Sequence, residues 1–192
     1  DVPLLFMNSF YTNDMTERIV GRAVGVTRVF SFCQNAYPRL LADDSCFLDP
    51  KKLNAEAWYP PGHGDLYSCI YENGYLDNLL QEGRECLFIS NADNLGATID
   101  LKILNYIIDE DIPFLMEVTA KTPVDTKGGV LCQEKDQIKL LEIADVPPEH
   151  VVEFCGNEKF NFFNTNNIWV NLVSLKQKLK DGPLDLGLIV NR

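Results

Sequence analysis

The sequence has little of what metal-binding and secreted proteins usually carry. Two histidines, His63 and His150, occur among 192 residues, which excludes a histidine-rich metal site. The six cysteines include no Cys-x-x-Cys pair, and a chain of this length needs no disulfide framework, so we expect free thiols. No apolar run approaches the roughly 20 residues that cross a membrane. These absences predict a cytoplasmic protein with no membrane partner.

Positive charge is also scarce. The chain has 17 Lys and Arg residues against 28 Asp and Glu, for a formal net charge of −11. Because nucleic acids and anionic membranes need a basic surface, we expect neither as a partner. A small phosphorylated ligand is compatible with this balance, since a metal ion and a few backbone N–H groups hold one locally.

Several catalytic motifs are missing as well. The sequence has no phosphate-binding loop of the Gly-x-x-x-x-Gly-Lys-Ser/Thr type and no Gly-x-Ser-x-Gly nucleophile elbow. The triplet Gly62-His63-Gly64 lacks the third glycine of a dinucleotide fingerprint, which makes a NAD-dependent dehydrogenase a poor alternative. We therefore expect chemistry without a covalent enzyme intermediate.

Short apolar runs alternate with amphipathic stretches along the chain. Runs that are apolar throughout predict strands with helices on both faces, and the alternation predicts an α/β fold with a mixed, mostly parallel sheet. We predict strands at 2–7, 29–33, 86–90, 114–119, 130–132, 138–143 and 168–171. We predict helices at 15–24, 65–72, 76–81, 99–109 and 171–180. In the helix at 99–109, the side chains that share one apolar face are Leu101, Leu104, Ile107 and Ile108.

The most informative stretch is Trp58-Tyr59-Pro60-Pro61-Gly62-His63-Gly64-Asp65. Its glycines let a ligand approach the backbone closely, and the N–H groups at the start of the next helix attract an anion. The His63 imidazole adds a hydrogen-bond donor for the same anion. We therefore favour a phosphate contact for His63 over the alternative of an imidazole satisfied by a backbone carbonyl.

Polar residues also follow predicted strands, where open α/β sheets bind their ligands. Asp93 lies between Asn91 and Asn94, after the strand at 86–90. A carboxylate in this position is typical of a Mg²⁺ ligand that is shared with substrate phosphates. A turn aspartate that caps the next segment is the alternative.

Two further groups of polar residues have open interpretations. Glu142 shares a predicted strand face with Ile138 and Leu140, so its carboxylate needs either a polar partner, such as a sugar hydroxyl, or a solvent-exposed edge. The run at 162–167 places amides after two aromatic residues. Amides suit sugar hydroxyls and base edges, but the pattern alone favours an asparagine-rich turn.

Eight motifs span nearly the whole chain. They are Pro3-Leu4 with Met7-Asn8-Ser9-Phe10, Gln34 with Tyr37-Pro38-Arg39, Trp58 through Asp65, Asn91 through Ala97, Met116 through Thr119, Lys127-Gly128-Gly129, Leu141 through Ala144, and Phe163 through Asn167. Together, and in this order, they resemble the eukaryotic-type UTP–glucose-1-phosphate uridylyltransferase family. The resemblance implies a GT-A-like, Rossmann-related catalytic domain.

The resemblance also implies a reaction. UTP and glucose 1-phosphate would give UDP-glucose and pyrophosphate, reversibly and with Mg²⁺, by in-line attack of the sugar-phosphate oxygen on the α-phosphorus. Such a reaction depends on positioning and charge neutralisation, which agrees with the absence of a nucleophile motif.

Roles on the nucleotide side follow from the same resemblance. Gln34 and Gly62 would face the uracil. His63 would contact the phosphate of the hexose. Asn91 and Asp93 would lie by the ribose and phosphates, with Asp93 as the metal ligand. His63 and Asp93 are thus the expected catalytic residues.

On the sugar side, the resemblance implies that Gly128, Glu142 and Asn166 hold the glucose hydroxyls. Relatives that act on galactose or N-acetylhexosamine 1-phosphates, and a non-catalytic nucleotide-sugar-binding relative, are the alternatives. The string at 60–65 counts against the N-acetylhexosamine branch.

The resemblance further predicts that residues 1–192 are the central part of a nucleotidyltransferase catalytic domain. The family's glycine-rich nucleotide loop would precede this sequence, and a second lysine and a C-terminal β-helix domain would follow it. Association between copies would then involve that C-terminal domain. Because both cationic elements lie outside these residues, we expect the 192-residue piece alone to be inactive.

Overall fold

The computed structural model describes residues 1–22, 28–41, 46–47, 49, 51, 54–125, 128–156, 158–187 and 189. These residues form a mixed α/β structure. Its strands are β1 (Leu4–Asn8), β2 (Val29–Cys33), β3 (Tyr37–Pro38), β4 (Trp58–Tyr59), β5 (Cys86–Ile89), β6 (Phe114–Ala120), β7 (Val130–Glu134), β8 (Gln137–Leu141) and β9 (Phe162–Asn171). Its α-helices are α1 (Asn13–Val20), α2 (Leu66–Glu72), α3 (Tyr75–Gln81), α4 (Leu101–Asp109), α5 (Val151–Cys155) and α6 (Leu172–Lys180).

The chain forms two compact units. Unit 1 comprises Asp1–Asp77 with Gly182–Leu186, and unit 2 comprises Asn78–Asp181 with Gly187. In unit 1, β1 and β2 pair in parallel from Leu4↔Val29 to Asn8↔Cys33, and β3 pairs antiparallel with β4. Its buried apolar residues are Phe32, Ala57, Cys69, Ile70 and Leu76.

Unit 2 contains a five-stranded sheet organised around β9. Strands β5, β6 and β7 each pair antiparallel with β9, and β8 pairs antiparallel with β7. Trp169, on β9, is 1% exposed and packs against Phe88 in a tilted arrangement, with 4.5 Å between ring centroids. The other buried apolar residues of this unit are Leu79, Ile107, Val130, Phe154, Val170, Leu172, Leu175 and Leu179.

The expectation of a mostly parallel sheet is wrong for the strand pairs that the structure describes. One pair, β1–β2, is parallel and the other five are antiparallel. The prediction treated apolar character on both faces as evidence of parallel pairing. In unit 2, however, β9, the last strand among the described residues, lies between strands that precede it and runs antiparallel to them.

Most predicted elements are present, with shifted ends. The strand at 29–33 is confirmed, whereas the predicted strand at 168–171 is the end of the much longer β9, which contains the asparagine run predicted as a turn. The helix at 15–24 is α1, Asn13–Val20, and its predicted end at Val24 lies outside the described residues. On α4, Ile107 is buried, but Leu101 and Ile108 are 66% and 45% exposed, so the predicted apolar face is only partly covered.

Among the described residues, no helix is both long enough and apolar enough to span a membrane.

Candidate functional site

The first group of predicted residues lies in unit 1, where the loop after β2 meets the glycine-histidine loop. Gln34 follows β2, and its backbone N–H donates to the Asn8 carbonyl at 2.8 Å, which extends the parallel pairing by one residue. The Gln34 side-chain Oε1 accepts the backbone N–H of Gly62 at 2.7 Å. The structure therefore brings together Gln34 and Gly62, which lie 28 positions apart in the sequence.

A carboxylate that sequence reasoning missed fixes the same loop. Asp65 accepts hydrogen bonds from the Asn35 backbone N–H at 2.7 Å, the Asn35 Nδ2 at 3.1 Å and the Cys69 Sγ at 3.0 Å. Burial and this hydrogen bond raise the pKa of Cys69 to about 12, so the thiol is a proton donor at neutral pH. The spacing of Asp65 and Cys69, one helical turn apart, was the signal available in the sequence.

His63 begins a short 3-10 helix, His63–Asp65, immediately before α2. Its side chain is exposed, and among the described residues the imidazole makes no hydrogen bond. Among the described residues, therefore, no backbone carbonyl accepts a hydrogen bond from the His63 imidazole, contrary to the alternative. The ring is accessible to a ligand in solution.

The second group lies in unit 2, where β5 ends beside β9. Asn166 Nδ2 donates to Asn91 Oδ1 at 2.6 Å. Asn166 has a φ of +57°, in the left-handed region that asparagine adopts more readily than most residues. Two predicted ligand residues, 75 positions apart, are thus in direct contact.

Glu117 is at the centre of a hydrogen-bond network beside this pair. Its carboxylate accepts from Trp169 Nε1 at 2.6 Å and from Asn167 Nδ2 at 3.2 Å. Asn167 Oδ1 in turn accepts from Asn94 Nδ2 at 3.1 Å. The network joins β6, β9 and the turn after β5, and sequence reasoning gave Glu117 no role beyond its place in a motif.

Asp93 lies in that turn and is exposed. The turn is closed by the Asn94 N–H donating to the Asn91 carbonyl at 3.1 Å, while within the described residues the Asp93 carboxylate makes no hydrogen bond or ion pair. The described residues contain no group of three or more His, Cys, Asp or Glu side chains that could hold a metal. Mg²⁺ is commonly bound by one or two carboxylates together with substrate phosphates and water, so a single exposed carboxylate fits it.

Gly128 and Glu142 flank β7 and β8. Gly128 has a φ of +139°, and a Cβ there would lie 2.6 Å from Phe163 Cζ. Glu142 is half-buried and its Oε1 would lie 2.6 Å from a Cβ at Gly129. Burial, and secondarily Asp145, raises the pKa of the Glu142 carboxyl. The neighbouring Lys127 lies outside the described residues.

The strand face that Glu142 was predicted to share with Ile138 and Leu140 is exposed to solvent at Ile138, which is 76% exposed. The predicted strand 138–143 ends earlier, at Leu141, so the half-buried Glu142 lies just after β8 and before the 3-10 helix Ile143–Asp145. Its polar partner stays a prediction.

One basic residue at a strand end faces the protein interior. Lys121 follows β6 and is 9% exposed. Its Nζ donates to the Phe154 carbonyl at 2.6 Å and lies 5.3 Å from the centre of the Phe154 ring. A shallow pocket of about 200 Å³ also borders Phe154, and none of the predicted site residues lines it.

Comparison with known proteins identifies the family. The sequence model of the UTP–glucose-1-phosphate uridylyltransferase family matches residues 1–192. The chain belongs to this family. The match confirms the resemblance seen in the eight motifs.

Two uridylyltransferases illustrate the similarity. The UTP–glucose-1-phosphate uridylyltransferase of Saccharomyces cerevisiae is 46% identical over 195 residues, covering 100% of this chain and 39% of the yeast protein. That of Solanum tuberosum is 48% identical over 193 residues, covering 99% of this chain and 40% of the potato protein. The chain thus spans about two fifths of the length of these relatives.

A solved structure of the family has the same fold. A variant of UDP-glucose pyrophosphorylase from Leishmania major, crystallised with UDP-glucose, superposes with a TM-score of 0.88 at 33% identity, covering 100% of this chain and 44% of that one.

Proposed function

We propose that this chain is part of an enzyme that transfers a uridylyl group from UTP to glucose 1-phosphate, giving UDP-glucose and pyrophosphate in a reversible reaction. The observation that carries the proposal is the family match over all 192 residues, which includes every predicted ligand residue. Relatives that are 46% and 48% identical are named for this activity.

We further propose a GT-A-like, Rossmann-related fold for the catalytic domain. The parallel pair β1–β2 supports it, because Gln34 extends from the carboxyl end of β2, where nucleotides bind in Rossmann-related sheets. The similarity to the structure from Leishmania major supports it too.

On the nucleotide side, Gln34 and Gly62 would bind the uracil. Since Gln34 Oε1 already accepts from Gly62, the Gln34 Nε2 protons are directed away from that bond and can donate to a base carbonyl. The exposed His63 would donate to the phosphate of the hexose.

On the sugar side, Asn166, Gly128 and Glu142 would bind glucose hydroxyls. Asn166 uses Nδ2 on Asn91, so its Oδ1 remains an acceptor for a hydroxyl. Gly128 has no side chain, which lets a sugar ring come close to the backbone. The half-buried Glu142 carboxylate would accept a hydrogen bond from a sugar hydroxyl.

Asp93, assisted by Asn91, would hold the divalent cation and the phosphates. A bound Mg²⁺ would neutralise charge on the transferring phosphoryl group. The residues of this chain would hold the two substrates in line, and no side chain would form a covalent bond to either.

The test is pyrophosphorolysis by the full-length protein with UDP-glucose, UDP-galactose and UDP-N-acetylglucosamine. We expect UDP-glucose to be turned over, with a loss of at least about 100-fold in kcat in Asp93→Ala. Asp136→Ala is the matched control, since Asp136 is also an exposed turn aspartate. Comparable turnover of another sugar would indicate a broader pyrophosphorylase. No turnover by the folded protein would contradict the proposal and leave a nucleotide-sugar-binding protein.

We also propose that residues 1–192 alone do not turn over substrate, because the cationic groups expected to neutralise the triphosphate are not among them. Association between copies would involve the C-terminal domain. Activity of the isolated piece, measured in the same assay, would contradict the first statement.

A further inference from the structure

We propose that Glu117 is a positioning residue that orients Asn91, Asp93 and Asn166 without touching a ligand itself. This inference rests on the proposed function, because its consequence is measured on that reaction. The pairing of β6 with β9 and the direction of four hydrogen bonds support this role for Glu117.

The pairing of β6 with β9 is irregular at Glu117. Met116 pairs with Ile168, and Val118 pairs with Asn164. One residue of β6, Glu117, therefore lies opposite three residues of β9, Thr165, Asn166 and Asn167. Such a bulge redirects side chains out of the regular alternation.

Glu117 stabilises this bulge with both its main chain and its side chain. Its carbonyl accepts from Thr165 Oγ1 at 2.8 Å, and its carboxylate accepts from Trp169 Nε1 and Asn167 Nδ2. Asn166 lies between two residues bonded to Glu117, and its backbone N–H donates to Asn164 Oδ1 at 2.8 Å. We therefore expect its left-handed backbone and its contact with Asn91 to respond to a change at Glu117.

The charge of Glu117 also sets the direction of the hydrogen bonds that follow. A carboxylate only accepts, so Asn167 must present Nδ2 to it and Oδ1 to Asn94. Asn94 must then donate with Nδ2, which leaves its Oδ1 to accept the Gly96 N–H at 3.1 Å. The Glu117 carboxylate, two hydrogen bonds away, thus fixes the orientation of the Asn94 side-chain amide in the turn that carries Asp93.

A glutamine at position 117 breaks this direction. If its Oε1 accepts from Trp169, its Nε2 faces Asn167 and forces the Asn167 and Asn94 amides to flip, which removes the acceptor from Gly96. If its Oε1 accepts from Asn167, the Trp169 N–H loses its acceptor instead. One hydrogen bond is lost in either arrangement.

A second substitution restores the direction. In Glu117→Gln with Asn167→Asp, the introduced amide accepts from Trp169 and donates to the introduced carboxylate, which accepts from Asn94 through its other oxygen. The number of charges and hydrogen bonds is the same as in the wild type. The double variant therefore tests whether the direction of the hydrogen bonds matters, rather than the presence of a glutamate at position 117.

The experiment compares the full-length wild type, Glu117→Gln, the double variant and Glu149→Gln, whose glutamate is exposed. We expect Glu117→Gln to lose about tenfold or more in kcat/KM for UDP-glucose, as for a hydrogen bond to a charged group, with circular dichroism unchanged. The double variant should recover to within about threefold and Glu149→Gln should resemble the wild type.

A second readout does not depend on turnover. In Glu117→Gln, we expect either the Gly96 amide proton or the Trp169 indole proton to lose its hydrogen bond. Its NMR chemical shift should then change to that of an N–H proton with no acceptor in the protein. In the double variant both protons should keep an acceptor. An inactive wild type would contradict the proposed function, whereas these resonances would still test Glu117.

Two results would overturn the inference. One is a folded Glu117→Gln variant with kcat/KM within about twofold of the wild type or with both resonances in place. The other is a folded double variant that stays as impaired as the single one. If Glu117→Gln does not fold, Asn167→Asp takes its place, since it sets two carboxylates against each other and the double variant must rescue it.

Discussion

At Gly128, adding a single methyl group would produce both backbone strain and a steric clash. Its φ of +139° is in a region that residues with a Cβ rarely adopt, and a Cβ there would lie 2.6 Å from Phe163 Cζ and 3.0 Å from Cε2. The backbone strain costs about 1–3 kcal/mol, and displacing the ring costs about 1–3 kcal/mol more. We therefore expect Gly128→Ala to lower the free energy of unfolding by about 2–6 kcal/mol, a large share of the about 5–15 kcal/mol of a typical domain.

The matched control is Gly83→Ala. Gly83 also has a positive φ, +75°, but a Cβ there meets nothing within 4 Å. Gly83→Ala should therefore lower the free energy of unfolding through backbone strain alone, by about 1–2 kcal/mol. Urea unfolding followed by circular dichroism measures both. If Gly128→Ala loses no more stability than Gly83→Ala, the steric argument is wrong. If Gly128→Ala does not fold, adding Phe163→Leu should restore folding, since it removes the opposing ring.

Three further predictions concern titratable groups. Asp65→Ala should lower the free energy of unfolding, measured by urea denaturation, by about 2 kcal/mol, because it removes three hydrogen bonds to a charged group. The control Asp14→Ala, at an exposed aspartate, should lower it by less than about 0.5 kcal/mol. Equal losses in the two variants would contradict the role of Asp65. Cys69, which is buried and has a pKa of about 12, should resist alkylation by iodoacetamide in the folded protein, whereas the exposed Cys46 should react. Mass spectrometry measures the alkylation rate of each cysteine, and similar rates for the two would refute this prediction. Because burial raises the pKa of Glu142 above 4.5, the stability it contributes is present at low pH and lost as the pH rises through the raised value. Glu142→Gln should therefore become more stable relative to the wild type, measured as the urea midpoint, as the pH rises above 4.5, and a difference that does not change with pH would contradict this expectation.

The sequence predicted the elements better than their arrangement. The runs that became β2 and β5 are short, apolar and bounded by polar residues, so local pattern was enough to find them. The pairing of β9 with three earlier strands depends on contacts between residues far apart in the chain, which periodicity does not contain.

The asparagine run shows why part of the candidate site could not be predicted. Asparagines in series usually mean a turn, because their amides hydrogen-bond to nearby backbone. Here the partners of Asn166 and Asn167 are Asn91, Asn94 and Glu117, supplied by two other segments. These partners let the amides remain within a strand.

Gln34 and Gly62, which the resemblance assigns to one ligand, are in direct contact in the structure. Their shared ligand stays a prediction. The direction of that hydrogen bond and the role of Asp65 in fixing the same loop depend on contacts between segments far apart in the sequence, which local pattern does not contain. Motif order identified the ligand candidates, whereas the groups that hold them had no comparable signal in the sequence.

The placement of the two tryptophans makes the two units separately observable. Trp58 belongs to unit 1 and Trp169 to unit 2. Within residues 1–192, a Trp58→Phe variant therefore leaves the fully buried indole of unit 2 as the fluorophore, and Trp169→Phe leaves the half-buried indole of unit 1. Coincident emission changes during denaturation would mean that the units unfold as one cooperative block, whereas separate changes would give each unit its own stability.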